Sequence, residues 1–227
     1  VVISHRYRFI FVHIPKTAGT SCALALKQGL PWWERRQRQT RRGSKHKSLL
    51  DGLELLEQPT GLFRHGVRDA DSYFSFAVVR NPWDRMVSLY HYLKRTEKYA
   101  EICPDTFEAF LDDIDAQVSW TQQLRSLRTQ RSYLADADGR MICDRIARFE
   151  TLAQDFEAIT QRLGIDARLP HVNRSNHDAY VRYYTPRSRE CVARWYRQDI
   201  DEFGYTFDGL VSSGATDGVG AEPHVAA

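Results

Sequence analysis

The chain has 227 residues, with 32 Lys and Arg against 29 Asp and Glu, a net charge of +3. At roughly 150 residues per domain this is one large domain, or one with a small extension, long enough to bury a core without disulfide or metal staples. The charge excludes a histone-like polybasic chain but not a local basic site, 42% hydrophobic and 12% aromatic content excludes global disorder, and no apolar run approaches the length of a transmembrane helix.

The opening VVISHRYRF lacks the parts of a signal peptide, and it lacks an initiator Met, which leaves room for an upstream segment. Residues 9–14 (FIFVHI) and 73–79 (YFSFAVV) are short, nearly continuous apolar runs, the pattern of strands buried on both faces in a parallel sheet. Each leads through a turn into helical spacing. Thr20 to Leu30 carries Cys22, Ala23, Leu26 and Leu30. Asn81-Pro82-Trp83-Asp84 reads as a helix start, with Asn81 as N-cap, Pro82 at N1 and Asp84 at N3. Met86, Leu89, Tyr90 and Leu93 then form one stripe.

Further helices are expected at 106–114 and at 151–163 with Gly164 as its stop. One more is expected over 185–203 behind Thr185-Pro186, and a short strand at 145–149. Strands alternating with helices predict an α/β fold. Periodicity is poor over 115–145. Two segments read as mobile. One is 34–47, with seven Lys and Arg against one Glu; the other is a disordered tail over 209–227, after a single domain at 1–208. Cys22, Cys103, Cys143 and Cys191 form no CxxC pair and read as reduced, mostly buried thiols, which suits a reducing cytoplasm. No metal-ligand motif is present, so no metal is expected.

Two segments carry chemistry. In FVHIPKTAGTS the strand ends near Ile14, Pro15 to Gly19 turn the chain, and Thr20-Ser21 open a helix. This is an anion cradle: unpaired helix N–H groups, a lysine charge at Lys16, hydroxyls at Thr17, Thr20 and Ser21, and Gly19 for close approach. Lys16 precedes the glycine, so the order GxxxxGK[ST] of a nucleotide triphosphatase loop is not met. A plain capped strand–helix turn is the bland reading. In FAVVRNPWDRMVSLY, Arg80 stands at the carboxyl end of a strand, where ligands bind in open α/β sheets. Asp84, Ser88 and His91 share the helix face opposite the apolar stripe. Arg80 and Ser88 then grip a second anion, or Arg80 pairs with Asp84 as a structural cap and Ser88 is surface.

PKTAGTS at 15–21 followed by VRNPWDRMVSLY at 79–90 resembles the sulfotransferases, most closely the carbohydrate sulfotransferases and their bacterial relatives. ARFETLAQDFEAITQRLGI at 147–165, LPHVNRS at 169–175 and YYTPRSRECVARWYRQDIDEFGY at 183–205 extend the likeness over about 8–207. The resemblance implies a P-loop-like three-layer α/β fold with a central, mostly parallel sheet, and 3′-phosphoadenosine 5′-phosphosulfate as co-substrate. By likeness, Lys16, Thr17, Gly19, Thr20 and Ser21 hold the 5′-phosphosulfate and Arg80 and Ser88 the 3′-phosphate. Arg174 and Ser175 of the later loop are weaker contacts.

Sulfuryl transfer is mostly positioning and charge stabilisation, with Lys16 neutralising the departing phosphate oxygen. A general base is also needed. Of eight histidines, His5 and His224 lie near the termini, His13 sits in the first strand as a satisfied near-core residue, and His171 and His177 flank the late loop. His91 reads as solvated or structural. His46 and His65 remain, and the resemblance favours His46; a carboxylate is the other alternative. The basic run is either a seat for an acidic acceptor or a solvated charge run, and Trp32 and Trp33 either stack a sugar ring or pack. The expected partner is a carbohydrate or another hydroxyl acceptor, without nucleic acid. The alternative to an enzyme is a non-catalytic module that keeps the nucleotide site and binds partners through the basic run; a kinase using ATP is disfavoured by the loop order. Compartment stays open between cytoplasm and a membrane reached through an upstream anchor, which the family's Golgi members carry and its bacterial members often do not. Oligomeric state is open too.

Overall fold

Four strands, β1 (Val2–Ser4), β2 (Phe9–Val12), β3 (Phe74–Val79) and β4 (Arg145–Arg148), form one sheet in the order β1-β2-β3-β4. They belong to a computed structural model that describes residues 1–35, 46–57, 69–170 and 179–210. The β2–β3 and β3–β4 pairs are parallel, and β1 runs antiparallel on β2 through the register Val2 to Phe11. The helices are α1 (Gly19–Gly29), α2 (Trp32–Arg35), α3 (Leu49–Glu57), α4 (Pro82–Arg95), α5 (Glu97–Ala100), α6 (Phe107–Asp115), α7 (Ser119–Gln122), α8 (Leu152–Leu163), α9 (Pro186–Trp195) and α10 (Arg197–Phe203). A short hairpin of β5 (Tyr205–Thr206) and β6 (Gly209–Leu210) follows.

The continuous apolar runs are strands because both faces are covered. Side chains alternate across the sheet. Phe9, Phe11, Phe76 and Val78 pack on Cys22, Ala25 and Leu26 of α1 and on Leu152, Phe156 and Ile159 of α8. Ile10, Val12, Ala77 and Val79 face the other way, onto Leu49 and Leu56 of α3 and Phe203 of α10. That is a three-layer α/β/α arrangement, and each such buried side chain contributes about 1.5–3 kcal/mol. α4 is the hub of a third cluster, in which Trp83, Met86, Leu89 and Leu93 meet Phe107 and Phe110 of α6 and Val192 of α9.

The start of α4 is as expected: Asn81 Oδ1 accepts from Trp83 N at 3.0 Å, with Pro82 in the first turn. Gly164 ends α8 with φ 65°, and Thr185 caps α9 in a capping box with Ser188. The single helix expected over 185–203 is two. It breaks at Tyr196, whose hydroxyl is drawn inward to Leu127 O at 2.8 Å, and the chain re-aims so that Asp199 meets Gln130 N and Arg131 N at 2.7 and 2.9 Å. The tail does not begin at 209, since Gly209 and Leu210 pair with Tyr205 and Thr206; 211–227 lie outside the described residues. Of the run at 34–47, Glu34 and Arg35 belong to α2 rather than to the mobile segment expected. Glu34 is buried in α2, where it accepts from Ser4 Oγ at 2.6 Å and Arg6 N at 2.8 Å, and 36–45 lie outside the described residues. Cys22 and Cys103 are buried, Cys143 and Cys191 half-buried, and all four are free thiols. No helix among the described residues is long and apolar enough to cross a membrane.

Candidate active site

Two parallel strands end side by side, and each hands its chain to a helix through a turn. At the first junction Lys16 and Ala18 both adopt left-handed backbone, at φ 69° and 62°. Each costs about 1–2 kcal/mol for a residue with a Cβ, so neighbours must hold the turn. They do so through carbonyls. Arg85 Nε donates to Pro15 O and Arg80 Nη1 to Lys16 O, both at 3.2 Å. In planar trans peptides the N–H groups of Lys16 and Thr17 then face the opposite way, away from those guanidiniums. α1 begins at Gly19 with no side chain capping it and no acid in its first turn. The amides of its first turn are therefore left for an anion, next to the positive end of the helix.

The predicted donors differ in what they can offer. Thr20 is exposed and Ser21 half-buried. Thr17 is buried, and its hydroxyl donates to Ile14 O at 3.1 Å, so it closes the turn. Gly19 is not an opening for a ligand at its Cα: a Cβ there would lie 2.0 Å from His13 Cδ2. The His13 ring fills that space, and this is what requires glycine. Lys16 is half-buried with Nζ 4.4 Å from the centre of the Tyr92 ring. Burial, with Arg80 and Arg95 nearby, pulls its ammonium down to about 8.

The second junction is side-chain work. Arg80 is only 4% exposed; Nε donates to Asp84 Oδ2 at 2.7 Å and its guanidinium stacks 4.0 Å over Phe149. The Arg80–Asp84 pairing weighed as a bland alternative is therefore present. Asp84, Ser88 and His91 do share the side of α4 opposite the apolar stripe, but it is not an open face: Ser88 is buried and Asp84 and His91 are half-buried. His91 is structural: Nε2 meets Tyr183 Oη at 2.8 Å.

His46 comes to the first junction from the far side of the 36–45 stretch. Its Nδ1 is 3.0 Å from His13 O, and the two rings meet edge to face at 4.7 Å. A carbonyl only accepts, so Nδ1 is the donor in this contact. His65, His171, Arg174, Ser175 and His177 lie outside the described residues. No three His, Cys, Asp or Glu side chains gather as metal ligands among the described residues.

Sequence reasoning missed the scaffold under both junctions. Arg85 is 2% exposed; besides Pro15 O it binds the carbonyls of Ser126 and Arg128 at 2.7 and 2.9 Å and faces Asp199 at 4.0 Å. Gln130 is fully buried and grips Arg80 like a neighbouring strand, with Oε1 on Arg80 N at 2.9 Å and Nε2 on Arg80 O at 2.8 Å. The one available signal was the apolar company of Arg85, with Trp83, Met86 and Val87 around it.

A helix start without a side-chain cap at one strand end, a buried arginine at the next and a histidine set against the first turn are the groups that an α/β group-transfer enzyme gathers at its strand ends. The particular kind follows from comparison. The sequence model described as "Sulfotransferase family" matches residues 1–206, and the chain belongs to that family. It is a sulfotransferase that draws on 3′-phosphoadenosine 5′-phosphosulfate. A solved structure of mouse sulfotransferase SULT7A1 complexed with PAP is similar at 16% identity and a TM-score of 0.46, over 87% of this chain and 85% of that one. No match to a curated protein sequence was found.

Proposed function

We propose that the acceptor is a carbohydrate hydroxyl, that His46 is the general base, and that the two strand ends divide the donor between them. Lys16, Thr17, Gly19, Thr20 and Ser21 take the 5′-phosphosulfate, Thr17 and Gly19 through backbone N–H groups. Arg80 and Ser88 take the 3′-phosphate, with Arg174 and Ser175 as further contacts. The observation that carries the reading is the His46 Nδ1 to His13 O contact at 3.0 Å, which fixes the ring against the strand that leads into the Lys16 turn and favours the tautomer whose basic nitrogen is Nε2. The acceptor oxygen attacks sulfur, its proton goes to Nε2, the bond from sulfur to the phosphate oxygen breaks, and 3′,5′-bisphosphate departs. Lys16 balances the charge that grows on that oxygen.

Carbohydrate chemistry is supported by the surroundings. Trp32 is 69% exposed just before the basic run. A cleft along α7 is lined by Gln122, Gln123, Arg125 and Arg128 with no carboxylate among its lining residues, which suits an acidic glycan. Its wall is tied to Pro15 through Arg85. The test is a screen of neutral and acidic saccharides, phenols and amines with radiolabelled donor sulfur. Label on saccharides, above all acidic ones, is the expected result; label confined to phenols or amines overturns the carbohydrate reading.

A further inference from the structure

We infer that Tyr92 is a positioning residue for Lys16: its ring seats the ammonium by a cation–π contact at the mouth of the site. The assignment of Lys16 to the departing oxygen is the reading given above, and this inference rests on it. Tyr92 follows Ser88 by one helical turn on α4, and Lys16 Nζ lies 4.4 Å from its ring centre. Tyr92 is 47% exposed, on the side of α4 that turns away from the buried Leu89 and Leu93. Tyr92 lies about 200° around the helix from Tyr90, which packs in the core at 6% exposure, so its ring is outside the packed face of α4.

Lys16 needs such a seat because its other charged neighbours repel it. Arg80 at the end of β3 and Arg95 further along α4 both disfavour its charge, as does burial. Asp84, the carboxylate of α4 near this junction, is engaged with Arg80. His46 turns Nδ1 to His13 O, and the His13 ring lies against Gly19. Among the described residues a π face is the remaining way to favour an ammonium at this spot, and it does so without a carboxylate that would repel the incoming donor.

Ring and hydroxyl separate cleanly by substitution. Tyr92→Phe keeps the π face, whereas Tyr92→Leu keeps an apolar wall without it. Lys16 is titrated in the donor-free protein by competitive amine labelling with acetic anhydride, read at its own peptide by mass spectrometry. The midpoint, about 8 in the parent chain, falls by about 0.5 pH in Tyr92→Leu and stays in Tyr92→Phe. The alkaline limb of kcat/KM for the donor moves down with it, because the ring favours the charged form. Turnover at saturating donor drops roughly 3- to 10-fold in Tyr92→Leu while donor affinity holds. An unmoved labelling midpoint in Tyr92→Leu overturns the inference, as does a Tyr92→Phe variant shifted equally. Lys16→Ala turnover judges the underlying reading separately, since labelling needs no reaction.

Discussion

The two strand ends are built alike and finished differently. The end of β2 is built on backbone: left-handed conformation at Lys16 and Ala18 and a helix start that no side chain caps, with His46 held against the His13 carbonyl. The end of β3 leaves little open. Asn81 caps α4, Arg80 is bound by Asp84, Lys16 O and Gln130, and Arg85 is gripped on several sides. Strained backbone cannot hold itself, so the second junction supplies the rigidity that the first one uses. Substitutions at the first should therefore damage turnover, and substitutions at the second should damage stability first.

His46→Ala tests the open end most severely. Turnover should fall about 100- to 10,000-fold with donor affinity and melting temperature nearly unchanged, and the acid limb of the pH–rate profile should vanish. An active His46→Ala enzyme would remove the base from this junction. Arg85→Ala tests the closed end. It strips three carbonyls and the buried Asp199 of their partner, and should cost about 3–5 kcal/mol in urea unfolding. A stable variant with normal turnover would mean that the turn at Lys16 holds without support.

Arg80→Ala sharpens the boundary between the two. The loss of a charge-assisted contact should cost about 1.5–3 kcal/mol of affinity for 3′-phosphorylated nucleotides, measured calorimetrically, and leave adenosine 5′-phosphosulfate almost unaffected. Equal loss for both ligands would make Arg80 a scaffold residue alone. The smallest effect is expected at Gly19→Ala, about 1–3 kcal/mol from overlap with the His13 ring. The double variant with His13→Ala should recover most of it; if it does not, the clash is not the cause.

What could be read from the sequence was whatever has a local cause. Asn81-Pro82 and Thr185-Pro186 start helices because cap and N1 chemistry act within a few residues. FIFV and FSFAVV are strands on both readings because burial on two faces leaves a continuous apolar run. β1 went unseen because three residues, VIS, carry no pattern of their own and are strand only through their ladder with β2. The break at Tyr196 was hidden for a related reason: the apolar stripe runs on past it, and only the hydrogen bond to Leu127 O bends the chain. At the site, Lys16 and His46 were legible by residue type and order, but their companions were not. Gln130 and Asp199 sit 50 and 119 residues beyond Arg80, one in a stretch without periodicity and the other off the apolar stripe of the helix expected over 185–203. Gly19 was legible as a position of close approach, but the group that presses on its Cα, a histidine six positions earlier, was not.

Arg85 holds Ser126 and Arg128 by their backbone carbonyls alone. A carbonyl is the same whatever side chain follows it, so the anchorage is indifferent to the residues chosen there. The side chains at 126 and 128 can drift, or be exchanged by a designer, while the turn around Lys16 keeps its shape. One buried guanidinium thus lets the surface at 126 and 128 be rewritten without disturbing the backbone beneath it.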